Sequence, residues 1–130
     1  MSATVTPRRP AHRRRPVRPR PRVSVALGLE AATLAVFATL HLTGALRIGA
    51  SSRPSYGAGV AEALICIALA CGAVARGRTV PMLAVGFAIF GFFVGLSFTV
   101  GSGDTIDLAY HLVMLPVLAI TAALLARRDL

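Results

Sequence analysis

The chain has 130 residues, of which 55% are apolar and 15% charged, and its mean hydropathy is +0.71. A soluble domain of this size needs more charged surface, so the composition excludes an ordinary soluble fold and predicts that lipid surrounds most of the chain. The formal net charge is +9, and eight of the fourteen basic residues, all arginines, precede Val23.

Residues 1–22 form a basic N-terminal segment in which arginine and proline dominate. This segment has almost nothing apolar to bury, its like charges repel one another, and its prolines disfavour a helix. It is therefore predicted to be a disordered cytoplasmic tail that contacts anionic lipid headgroups. Nucleic-acid binding is disfavoured because no aromatic side chain is interleaved with the arginines to stack on bases.

Four apolar runs follow the tail, and each can cross a hydrocarbon core of about 30 Å. Their predicted bounds are 23–46, 58–75, 79–100 and 105–126. Such runs must be helical, because a backbone in lipid has to satisfy its own hydrogen bonds. Residues 23–128 are therefore predicted to form an all-α, up-down four-helix bundle in the membrane. The connections at 76–78 and 101–104 are so short that the helices they join must be antiparallel neighbours.

The arginines outside the spans predict the orientation of the bundle. The tail, the second connection and the C-terminus carry twelve of them, whereas the first connection carries Arg47 and Arg53 and the third carries none. Basic residues concentrate on the cytoplasmic side of membrane proteins. The sequence thus predicts a multi-pass protein of the plasma membrane with both termini in the cytoplasm.

Ionisable side chains inside membrane spans are costly and often mark functional sites. Five occur here, namely Glu30, His41, Glu62, Asp107 and His111. At about 1.5 Å per residue, His41, Glu62 and His111 all lie roughly 7–9 Å outward of the span midpoints. Ser97 lies at a similar level on the third helix, and Asp107 and Tyr110 lie beside His111. We therefore expect one polar layer in the outer leaflet.

Several interpretations of this layer remain open. The carboxyl and imidazole groups can share a proton, bind a cation or small polar ligand, or ligate a divalent metal. Two histidines at one depth are also compatible with axial ligation of haem b between the first and fourth helices. The structural alternative is that these side chains only hydrogen-bond one another to fix the packing of the helices.

Glu30 and His41 are predicted to share a face of the first helix, because eleven residues correspond to about three full turns. Glu30 lies on the cytoplasmic side of the midplane, so the two residues suggest a polar column that reaches both leaflets. Such a column is compatible with a proton or ion path, and equally with two buried layers of hydrogen bonds.

The third helix carries a GxxxG step formed by Gly91 and Gly95. Small residues at this spacing allow close helix contact, either within the chain or between two copies in a homo-oligomer.

In size and topology, residues 23–128 resemble small four-span bacterial membrane proteins, including the DoxX-like group. Some members of that group are associated with redox or quinone-linked membrane complexes, so one alternative is a redox membrane protein that binds haem b or a quinone. The residues themselves favour a small non-enzymatic membrane protein, acting as an accessory subunit or binding a proton, cation or small ligand. An oligomeric transporter is a further alternative.

A first prediction separates the cofactor alternatives. If His41 and His111 hold haem or metal, protein purified in mild detergent will show a reducible haem band or stoichiometric metal. Either signal should be lost in His41→Ala and His111→Ala. A colourless and metal-free preparation would contradict a resident cofactor.

Overall fold

The computed structural model describes residues 21–47, 55–102 and 104–127. These residues form four α-helices: α1 (Pro21–Thr43), α2 (Tyr56–Val74), α3 (Thr79–Thr99) and α4 (Thr105–Ala126). Each helix is long and apolar enough to cross a membrane. The predicted all-α four-helix fold is confirmed, and the chain is a small multi-pass membrane protein.

The helix bounds depart from the predicted spans mainly at α1 and α2. The first helix begins at Pro21, a residue that suits an initial helical turn because its amide hydrogen is not needed there. Pro21 and Arg22 therefore belong to the helix, and residues 1–20 of the predicted tail lie outside the described residues. The helix ends before Gly44, whose φ of 75° breaks the helical path, whereas the span was predicted to reach residue 46.

The helices pack in a ring in which each contacts its neighbours along the chain and α4 returns to α1. Large apolar side chains fill the interior, and the most deeply buried of them are Leu27, Leu34, Leu69, Val85 and Leu118. Many other apolar side chains face outward, as expected for helices surrounded by lipid.

Side-chain contacts to the backbone fix both ends of α4. Asp104 caps its start, because its Oδ1 accepts hydrogen bonds from the backbone amides of Ile106 at 3.0 Å and Asp107 at 3.2 Å. At the opposite end, the Arg78 guanidinium donates a hydrogen bond to the backbone carbonyl of Leu125. The cap holds Asp107 in the first turn of α4, where its side chain points into the bundle.

The cap generates a stability prediction. Asp104→Ala should lower the free energy of unfolding by about 1 kcal/mol, because two amides lose their side-chain acceptor. Asp104→Asn, which keeps an acceptor oxygen, should stay close to the wild type. Denaturant unfolding in detergent, followed by circular dichroism, measures both. Equal stability of the alanine variant and the wild type would contradict the assigned cap.

Candidate functional site

Four of the predicted ionisable residues come together at one end of the bundle, where the α1–α2 and α3–α4 connections lie. His41 comes from α1, Glu62 from α2, and Asp107 and His111 from α4, and all four are buried. We call these four residues the polar cluster. Helical geometry explains the pairing within α4, since residues four apart lie on the same face.

His41 is held by Glu62 across the contact between α1 and α2. The Nδ1 atom of His41 lies 2.7 Å from Oε2 of Glu62 and donates a hydrogen bond to it. With the proton on Nδ1, the Nε2 atom of a neutral imidazole keeps a lone pair. Nε2 points toward Oδ1 of Asp107, 3.9 Å away.

Asp107 has one engaged oxygen and one free oxygen. Thr99 Oγ1 donates a hydrogen bond of 2.6 Å to Oδ2. The Nδ1 atom of His111 lies 3.5 Å from Oδ1, but it donates its hydrogen to the backbone carbonyl of Asp107 at 2.8 Å. Among the described residues, neither Oδ1 of Asp107 nor Nε2 of His41 has a hydrogen-bond partner. Two buried lone-pair atoms thus face each other across the cluster.

The cluster has the spacing of a cation site. One ligand atom each from His41, Glu62 and Asp107 can be chosen so that all three lie within 4.8 Å of one another. Imidazole nitrogen and carboxylate oxygen are ligands that zinc and other divalent metals accept.

A groove between α2 and α3, which we call the α2–α3 groove, reaches the polar cluster. Its volume is about 590 Å³, and its floor contains the four cluster residues together with Thr99. Its sides are mostly apolar, and its larger side chains are Leu64, Ile65, Phe87, Phe90, Phe92, Val94 and Phe98. Leu64, Phe90 and Phe98 are also exposed on the outer surface of the bundle. The groove is therefore open to the side, where lipid surrounds the protein.

The GxxxG step accommodates side chains from the neighbouring helices of the same chain. A Cβ atom at Gly91 would lie 2.5 Å from Cδ1 of Ile65, and one at Gly95 would collide with Nε2 of His111. Gly95 therefore provides the space in which the His111 ring lies. This intrachain packing accounts for both glycines, and pairing of two copies through them stays a prediction.

The structure places the hydroxyl group of the site differently from the sequence interpretation. Ser97 is exposed, and its Oγ donates to the backbone carbonyls of Phe93 and Val94 at 2.9 and 2.8 Å. Its expected place at the polar layer is taken by Thr99, two residues farther along α3. The short α3–α4 connection could have indicated Thr99 from the sequence, because it brings the end of α3 against the first turn of α4.

Glu30 lies away from the polar cluster, whereas Tyr110 contacts it. Glu30 is buried in the other half of the bundle, where Thr121 Oγ1 donates to its Oε1 at 2.6 Å, and its Oε2 has no partner among the described residues. The Tyr110 ring stacks on Phe37 with centroids 3.6 Å apart and meets the His111 ring edge-on with centroids 5.6 Å apart, and the Tyr110 hydroxyl lacks a partner among the described residues. No described hydrogen bond joins Glu30 to the polar cluster, so the column predicted from α1 consists of two separate polar layers.

The imidazole orientations bear on the haem alternative. Nε2 of His41 points at Asp107, and Nε2 of His111 lies against Gly95 on α3. The two atoms do not face one another across a space between α1 and α4. This arrangement gives no support to axial ligation of a haem between those helices.

Comparison with known proteins finds no matching family model, no similar curated protein and no similar solved structure.

Gly95→Ala should disturb the polar cluster, because a methyl group there occupies the position of the His111 ring. Forcing extra volume into a packed site costs about 1–3 kcal/mol. Gly86→Ala is the matched control, since a Cβ atom at Gly86 meets nothing within 4 Å. Thermal unfolding in detergent should show Gly95→Ala as the less stable variant. Equal melting temperatures would contradict the tight contact.

Proposed function

We propose that this membrane protein binds a cation at the polar cluster. The proposal is carried by one observation, the pair of buried atoms formed by His41 Nε2 and Asp107 Oδ1, 3.9 Å apart and without hydrogen-bond donors among the described residues. Two lone pairs in such a position are stabilised when positive charge lies between them. A divalent metal ion supplies that charge directly, and protons on the imidazoles are the competing occupants.

The charge of the cluster supports the proposal. With both histidines neutral, the carboxylates of Glu62 and Asp107 leave two negative charges buried in an apolar bundle. An unpaired buried charge costs several kcal/mol, so compensation is strongly favoured. One divalent cation, or one extra proton on each histidine, makes the group of four neutral.

The contact between His41 and Glu62 also supports a metal ligand role for His41. In metal sites a ligating imidazole commonly donates its second ring hydrogen to a carboxylate, which fixes the tautomer and increases the basicity of the ligand atom. Glu62 has this relation to His41, with Nδ1–H directed at Oε2 and Nε2 left available. Asp107 is the proposed second ligand, and Thr99 holds its other oxygen in place.

We further propose that the cluster lies in the outer leaflet of the plasma membrane. The distribution of arginines supports this orientation, because the connections at the cluster end carry two of them and the opposite end with its tail carries twelve. Contacts of the tail with anionic headgroups belong to the same proposal. A cation would then reach the site from the external side.

Zinc binding tests the function. Full-length protein, purified through a tag that contains no histidine, should bind one Zn²⁺ in isothermal titration calorimetry. Glu62→Gln should weaken binding by about 10–100-fold, the usual effect of losing the carboxylate partner of a ligating histidine. Asp107→Asn should weaken it at least as much, because a direct ligand loses its charge.

Glu30→Gln is the matched control, since it neutralises a buried carboxyl group in the other half of the bundle. It should bind Zn²⁺ like the wild type. Failure of the wild type to bind Zn²⁺, or equal binding by Asp107→Asn, would overturn the proposal.

A further inference from the structure

We infer that the α2–α3 groove admits an amphipathic organic cation from the surrounding lipid and places its positive headgroup at the polar cluster. This inference rests on the proposed cation site and goes beyond it, because it names a class of ligand and its route of entry. The ligand class is a quaternary ammonium or protonated amine that carries a long apolar group.

The size and shape of the groove favour an elongated molecule. Its volume of about 590 Å³ far exceeds that of a bare metal ion. The groove extends from Ser55, which directly precedes α2, to Ile65 of α2, and along α3 from Phe87 to Thr99. At 1.5 Å per residue these stretches correspond to roughly 15 and 18 Å. The cluster occupies part of the floor, so an apolar group can extend along the remainder while a headgroup contacts the cluster.

An aromatic ring beside the cluster favours a cation over other headgroups. Phe92 lines the groove with its ring centroid 5.2 Å from that of His111, and aromatic rings attract ammonium groups electrostatically. The floor adds the two carboxyl groups and the unpartnered Oδ1 of Asp107. An anionic amphiphile would be repelled by this floor, and an uncharged one would leave its negative charge without compensation.

The exposure of several lining residues indicates that a ligand can enter the groove from the lipid side. The side of the groove toward lipid is formed by residues that are both lining and exposed, with Phe90 67% and Phe98 72% exposed. An amphiphile dissolved in the bilayer therefore meets the groove without first crossing the connections at the end of the bundle. Its hydrocarbon group remains in an apolar environment throughout this entry.

The test uses the full chain in phosphatidylcholine nanodiscs and a nitroxide-labelled hexadecyl quaternary ammonium as the probe. Electron paramagnetic resonance measures the motionally restricted fraction of the probe in excess of that in empty nanodiscs. The wild type should restrict the probe, and Asp107→Asn should weaken binding by about tenfold or more, equivalent to about 1.4 kcal/mol per tenfold step. An uncharged hexadecyl nitroxide should bind weakly to every variant.

Two phenylalanines of α3 provide a matched pair of variants that test whether the ligand occupies the α2–α3 groove. Phe90 lines the groove, whereas Phe93 is 59% exposed and does not line it. Phe90→Ala should weaken binding of the ammonium probe several-fold while leaving Zn²⁺ binding intact, which also shows that the variant folds. Phe93→Ala should behave like the wild type.

The outcomes separate this inference from the proposed function. Zn²⁺ binding without restriction of the ammonium probe would overturn the inference and leave the cation site standing. Restriction of the charged and uncharged probes to the same extent, or equal binding by Phe90→Ala and Phe93→Ala, would also overturn the inference. If the wild type binds neither Zn²⁺ nor the ammonium probe, both proposals are overturned.

Discussion

Two carboxyl groups at one level of an apolar bundle impose the constraint on which the rest of this structure depends. Glu62 and Asp107 are both buried, and a buried carboxylate without compensation costs several kcal/mol. The fold provides an imidazole between them, so that His41 bonds Glu62 through one nitrogen and faces Asp107 with the other. The contact gives Glu62 a hydrogen-bond donor but leaves Asp107 with an unpartnered oxygen among the described residues, and the proposed binding of a cation depends on this oxygen.

The local structure around the α3–α4 connection serves to position Asp107. Asp104 caps the helix that carries Asp107, and Thr99, at the end of the preceding helix, donates to Oδ2. Gly95 gives the His111 ring room to reach the carbonyl of Asp107. Small residues also create the adjacent groove, because Ala58 and Ala61 of α2 line it with little side-chain volume. The same end of the bundle therefore combines a fixed acceptor with space beside it.

In the other half of the bundle, Glu30 has one bonded and one unbonded carboxylate oxygen. Thr121 donates a hydrogen bond to Oε1, whereas Oε2 has no partner among the described residues, and leucines such as Leu27 and Leu118 fill the neighbouring interior. No imidazole among the described residues bonds Glu30. The two buried carboxyl layers differ in what lies beside them, since the polar cluster adjoins the α2–α3 groove and Glu30 does not line that groove.

The sequence alone determined the number of membrane spans, the antiparallel order imposed by the short connections and the common depth of His41, Glu62 and His111. These follow from hydropathy and from the constant helical rise, which are properties of single segments. Tertiary structure decided the rest. Rotation of each helix about its axis selected Thr99 over Ser97, separated Glu30 from the cluster, and turned Gly91 and Gly95 toward Ile65 and His111. Side-chain partners depend on these rotations and on the spacing between helices. Packing between segments sets both, and the periodicity of a single segment does not predict them.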